Sequence, residues 1–164
     1  MADKDRDILI IGIGNEWRSD DGIGIEVGRR IKDRALLGVQ VVFENRDGIS
    51  LDEVWRGWKY VIVVDAMCSG VPAGTIRRID ANHTPLKPGA FPQSVHAFGL
   101  AEAVELSRVM GDLPACLVVY GIEGKRFGHG PTLTPEVREA GKQVIDSILE
   151  EIEKHFTTLD TGDA

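Results

Sequence analysis

Cysteine is scarce in these 164 residues. Cys68 and Cys116 are too few for a disulfide-stapled scaffold. No CxxC and no HExxH occurs, which excludes a zinc ribbon and a ready-made zinc-protease helix. Positive charge is also in short supply. Nineteen Lys and Arg against 26 Asp and Glu leave a net charge of -7. With no basic cluster there is no electrostatic footprint for a nucleic acid. Long apolar runs are missing too. Ile8 to Ile13 follows a charged opening, Met1 to Asp7, and is too short for a signal-peptide core or a membrane span. The expected location is therefore the cytoplasm, where both thiols stay reduced.

What is present is the composition of an ordinary globular protein, 43% hydrophobic and 27% charged, in a chain long enough for one well-buried core. A single domain is expected over residues 1–156, with a frayed polar tail over 157–164. Ile8-Leu9-Ile10-Ile11 reads as a buried strand ended by glycines, and Val39 to Phe43 as a second. Tyr60 to Val64 is a third, apolar enough to be central, with Asp65 at its carboxyl end. Between the first two, Ile23, Val27, Ile31 and Ala35 fall on one helical stripe, and Ser50 stands where it would cap a short helix through Leu51, Val54 and Trp55. Only Ala66 to Gly74 separates Asp65 from the next strand, Thr75 to Ile79. A parallel crossover needs a dozen residues or more, so this strand is expected to run antiparallel. A helix over about Ala97 to Met110 follows, then a strand from Cys116 to Ile122. A last helix starts at Thr134-Pro135-Glu136, with Val137, Gly141, Val144, Ile145, Ile148 and Ile152 on one face. The expected fold is a three-layer α/β/α sandwich around a five-stranded, mostly parallel sheet with one antiparallel strand.

Chemistry concentrates in the loop after the first strand, Gly12-Ile13-Gly14-Asn15 running into Asp20-Asp21-Gly22. Trp17 stands where a dinucleotide fingerprint needs glycine, and no Gly-Lys-Ser/Thr is present, so nucleotide binding has no support. Two aspartates at a helix start have two readings. Either they cap the helix dipole, or the same field keeps a carboxylate ionised to hold a cation. Asp65 has two readings as well, a turn residue or a site residue, because ligands of open α/β sheets bind beyond the carboxyl ends of the strands. His96, just ahead of a helix, is either a surface residue or a neutral imidazole suited to a metal. Two carboxylates and one imidazole make a mixed oxygen and nitrogen set fitting zinc, nickel or a similar ion, with positions left open. Cys68 is either a thiolate near Asp65 or, by the commoner pattern, a small buried thiol. His129 is expected in a solvated loop. Trp55 and Trp58 are expected to pack, and Trp17 either packs or anchors a partner. No GxSxG marks a serine nucleophile.

Together these segments resemble the hydrogenase maturation endopeptidases. The resemblance rests on Gly12-Ile13-Gly14-Asn15 with Asp20-Asp21-Gly22-Ile23-Gly24, on Val64-Asp65-Ala66, and on Ser94-Val95-His96-Ala97-Phe98-Gly99-Leu100. It continues in Gly121-Ile122-Glu123 and Leu133-Thr134-Pro135-Glu136-Val137, so that it spans Ile8 to Ile152 in order. The resemblance implies removal of a C-terminal extension from the precursor of a nickel–iron hydrogenase large subunit after nickel insertion. It also implies that Asp21, Asp65 and His96 are the catalytic and metal-recognising trio. Family members can carry Glu where Asp21 stands. The nickel would be held by the precursor, with zinc as a substitute in vitro, and Asp20 would be a supporting group. Neither a nucleic acid nor a membrane is an expected partner. A non-enzymatic nickel-binding assembly protein would share the same trio. The opening strand and Gly-x-Gly-Asn are also similar to peptidyl-tRNA hydrolases, but that family would have Pro-Gly after Asn15 and a basic surface. Here Glu16-Trp17 follows in an acidic chain.

Overall fold

The computed structural model describes residues 7–45, 50–91 and 99–161. Among them, β1 (Ile8–Ile13), β2 (Val39–Glu44), β3 (Tyr60–Met67), β4 (Ile76–Asp80) and β5 (Cys116–Glu123) form one sheet in the order β2-β1-β3-β5-β4. β1 runs parallel to β2 and β3, β3 runs parallel to β5, and β4 runs antiparallel to β5. Four helices accompany them: α1 (Ile23–Lys32), α2 (Leu51–Trp55), α3 (Leu100–Met110) and α4 (Pro135–Thr161). α1 packs on α4 over one face of the sheet, and α2 packs on α3 over the other. This is the expected three-layer sandwich with one reversed strand.

The strand sequences explain the layering. A parallel strand covered by helices on both faces needs apolar residues at every position rather than at alternate ones. In β1, β3 and β5 one alternate set (Ile8, Ile10, Ile62, Val64, Val118, Tyr120) joins the core under α1 and α4. The other set (Leu9, Ile11, Val61, Val63, Leu117, Val119) joins the core under α2 and α3. At the sheet's edge, β4 exposes Arg77 and Arg78, charges that oppose pairing with another chain.

Several element boundaries differ from expectation. β3 continues through Met67, so Asp65 lies within the strand rather than closing it, because β5 pairs with it as far as Met67↔Glu123. α1 stops at Lys32 and Ala35 takes a positive φ of 48°, which leaves Ile23, Val27 and Ile31 as its buried stripe. α3 is described from Leu100, with Gly99 extended (φ -93°, ψ -175°) as its N-cap; the expected start near Ala97 lies outside the described residues. Ser50 occupies the N-cap position of α2, but its side chain makes no cap; its carbonyl accepts the Glu53 and Val54 N–H groups. α4 runs to Thr161, past the start of the expected frayed tail. There the Thr157, Thr158 and Thr161 hydroxyls donate back to carbonyls one turn earlier.

The second half of α4 is fixed to the sheet by Glu151. Its carboxylate accepts hydrogen bonds from the Tyr60 hydroxyl (2.9 Å), the Arg78 Nε (2.5 Å) and the Tyr120 hydroxyl. Burial by itself pushes the Glu151 carboxyl up, but these donors outweigh it and hold the group below its ordinary value.

Candidate active site

The loop leaving β1 folds back on itself for reasons visible in its glycines. Gly14 has φ of 149°, and a Cβ there would stand 1.9 Å from the Asp21 carbonyl oxygen, so a side chain has no room. Asn15 donates its N–H to that same carbonyl (3.2 Å), and its Oδ1 accepts the Trp17 N–H (2.9 Å). Next comes a single 3-10 turn, Ser19–Gly22. Gly24 then lets α1 press onto the sheet, since a Cβ would meet the Ile13 carbonyl oxygen at 2.3 Å and that of Val64 at 2.4 Å. The 3-10 turn therefore abuts β3. Asp21 and Asp65, carried on these two elements, come to one carboxyl edge of the sheet, at 2% and 0% exposure. By strand alternation Asp65 shares the α3 side with Val63 and Met67. His96 lies outside the described residues. Among the described residues, no three His, Cys, Asp or Glu side chains are grouped to hold a metal ion.

Asp20 proves to be a cross-chain brace rather than a cap of α1, whose N-cap is Gly22 with no side-chain bond. Its Oδ2 accepts the Lys125 and Arg126 N–H groups (2.8 and 2.9 Å), and its Oδ1 accepts the Thr134 N–H (2.8 Å). The Thr134 hydroxyl donates to the same carboxylate. Further bonds join this loop to residues 17–20, from Ser19 N–H to the Gly130 carbonyl (2.7 Å) and from Gly130 N–H to the Trp17 carbonyl (2.9 Å). The rim is thus held by backbone hydrogen bonds while Trp17 projects from it, 66% exposed, beside a cleft of about 250 Å³ with Ile25, Pro131 and Leu133 in its wall. A larger cavity, about 580 Å³, lies beside Tyr60 at the start of β3 and does not include the aspartates. Cavity size alone would point away from them.

A further acid at this edge, Glu123, has its side chain 3% exposed and bonded to Ser69 and Gly70. Sequence reading missed this role, although an acid ending an apolar strand was the very signal that singled out Asp65. Cys68, expected to be a small buried thiol, is exposed, because it lies on the turn leaving β3 rather than in the strand. His129 is exposed and Trp55 is buried at 1%, both as expected.

Comparison with known proteins bears on this arrangement. Residues 46–151 match the family model described as hydrogenase maturation protease. A putative hydrogenase maturation protease of Methanocaldococcus jannaschii is 34% identical over 161 residues, covering 92% of this chain and 99% of the relative. The hydrogenase expression/formation protein HupD of Thiocapsa roseopersicina is 30% identical over 150 residues, covering 90% and 68%. Among solved structures, the hydrogenase maturating endopeptidase HybD from E. coli superposes with a TM-score of 0.71 at 20% identity, covering 91% of this chain and 93% of that one. A nickel–iron hydrogenase maturation protease HycI from Thermococcus kodakarensis KOD1 gives 0.67 at 24% identity, covering 90% and 93%. At such identities the structural likeness is a likeness of fold.

Proposed function

The chain belongs to the hydrogenase maturation protease family and is a protease, and from that premise we propose that it trims the C-terminus of a nickel–iron hydrogenase large-subunit precursor after nickel insertion. One observation carries the proposal. Two carboxylates from different elements, Asp21 and Asp65, are almost wholly removed from water at the carboxyl edge of the sheet, where ligands of open α/β sheets bind. Carboxylates are oxygen donors to metal cations, and a cation brought in by the substrate would meet both of them at this edge. With the His96 imidazole as third donor, the set is two oxygens and one nitrogen, which suits nickel and, in vitro, zinc. Three donors from the protein leave the remaining positions of the ion to the precursor. Recognition of nickel by Asp21, Asp65 and His96 thereby makes cutting conditional on a loaded substrate.

The chemistry of cutting requires a peptide to lie across this edge. The braced rim at residues 17–20 and 126–130, with the cleft beside Trp17, provides a firm open surface of that kind. No described helix is long and apolar enough to cross a membrane. The test is incubation of the purified protein with its cognate precursor, nickel-loaded or nickel-free, followed by mass spectrometry of the precursor. The expected result is loss of a C-terminal peptide from the loaded form alone. An unchanged mass of the loaded form would instead indicate a protein that binds without cutting. Equal trimming of both forms would remove nickel recognition from the account.

A further inference from the structure

β3 and β4 are consecutive in the chain but not adjacent in the sheet, because β5 lies between them. Residues 68–75 must therefore cross over the carboxyl end of β5. That crossing lifts peptide groups off the sheet where no strand can bond them. Glu123, the last residue of β5, meets them with each of its polar groups. Its N–H donates to the Thr75 carbonyl (2.9 Å), and its carbonyl accepts the Gly74 N–H (2.8 Å). Its Oε1 accepts the Ser69 and Gly70 N–H groups (2.8 and 2.9 Å), and its Oε2 accepts the Ser69 hydroxyl (2.8 Å). The next residue, Gly124, donates its N–H to the Met67 carbonyl (2.9 Å). One residue thus holds both ends of the crossing, and the side chain holds the end that leaves β3 two residues after Asp65 pairs with Gly121 and Met67 with Glu123. The same turn continues the anchoring, since Cys68 donates its N–H to the Ala90 carbonyl (2.9 Å).

We propose that Glu123 is a positioning residue: through Ser69 and Gly70 it fixes the crossing, and with it the carboxyl end of the strand that carries Asp65. Both side-chain oxygens are turned toward protein donors, so the role is geometric and does not depend on the charge. This gives two substitutions opposite expectations. In Glu123→Gln the amide oxygen goes on accepting from Ser69 and Gly70, and the amide nitrogen donates to the Ser69 hydroxyl, so the bonds survive and the charge is lost. In Glu123→Asp the charge survives, but the acceptors retreat by one methylene and the bonds are lost.

The experiment measures amide hydrogen exchange at Met67, Ser69 and Gly70 in the full chain, together with cleavage of the nickel-loaded precursor. Only the cleavage arm rests on the function proposed above. Glu123→Asp is expected to speed exchange at Ser69 and Gly70 by about tenfold, the scale of a lost hydrogen bond. It is expected to lower kcat by roughly 10- to 100-fold, the scale on which a displaced site residue costs rate, with KM little changed. Glu123→Gln is expected to match the wild type in both. The reverse pattern, with Gln impaired and Asp intact, would overturn the proposal in favour of a role for the charge. Unchanged exchange in both variants would also overturn it. Should the wild-type chain leave the loaded precursor uncut, the proposed function falls, and the exchange arm alone decides the role of Glu123.

Discussion

Asp20 and Asp21 are neighbours in sequence and equally hidden from water, yet their substitution to asparagine should read out differently. Among the described residues the partners of the Asp20 carboxylate are donors, three backbone N–H groups and a hydroxyl, so both oxygens must accept. An amide at that position turns an –NH2 group against N–H groups whichever way it is flipped. Asp20→Asn should therefore lower the unfolding free energy by about 2 kcal/mol, visible as a lower urea midpoint with an unchanged slope. Asp21→Asn and Asp65→Asn should unfold cooperatively and leave the precursor uncut in the mass-spectrometric assay, as should His96→Ala. Wild-type cutting by all three would unseat the site assignment. The sequence made the acidic pair legible but not the division of labour within it. The donors that claim Asp20 lie more than a hundred residues downstream, where no local pattern connects them to it.

At the scale of elements, α4 is the longest helix described, and its docking relies on a polar contact as well as on its apolar stripe. Burial first, and then the hydrogen bond to Glu151, push the Tyr60 and Tyr120 hydroxyls well above their ordinary value of 10.0. A raised folded-state value means that the stabilising contribution is complete below pH 10 and is lost as pH rises toward the folded value. The chain has just these two tyrosines. Its ultraviolet tyrosinate signal should therefore stay silent through pH 10 and appear together with alkaline unfolding. Glu151 has the opposite sign. Its carboxyl is held below 4.5, so its contribution is present above pH 4.5 and is lost as pH falls through the folded value. In Glu151→Gln the acid limb of stability should flatten and the tyrosines should titrate earlier, although burial alone keeps them raised. Separate tyrosine titration in the native wild type would contradict this account. The apolar face of α4 was readable from its period, whereas Tyr60, Arg78 and Tyr120 converge on Glu151 only through strand order.

For the whole molecule, the decisive feature is that one sheet serves two cores. Ile62 faces the core under α1 and α4, and its neighbour Val63 faces the one under α2 and α3, both at 0% exposure. Because β3 is the middle strand, neither core persists without the other. Ile62→Ala and Val63→Ala should each cost about 2–4 kcal/mol, and circular dichroism and tryptophan fluorescence should report one shared transition in both variants. Loss of one signal ahead of the other would show that the layers are separable. The charge balance acts at this scale too: a surface with net -7 favours protein or cationic partners over phosphate backbones.

By itself the sequence determined the layers, the antiparallel strand and the tight turn of the first loop, because hydrophobic period, connection length and glycine placement are local properties. It also carried the family resemblance, since motifs are local too. Tertiary structure decided what depends on partners distant in the chain. It brought Asp21 and Asp65 to one edge by letting Gly24 press α1 against β1 and β3. It assigned Asp20 to the loop after β5, and it set Glu123 beneath a crossing that exists only because β5 inserts between β3 and β4. A carboxylate's role follows from the donors that surround it, and in this chain those donors are assembled by topology.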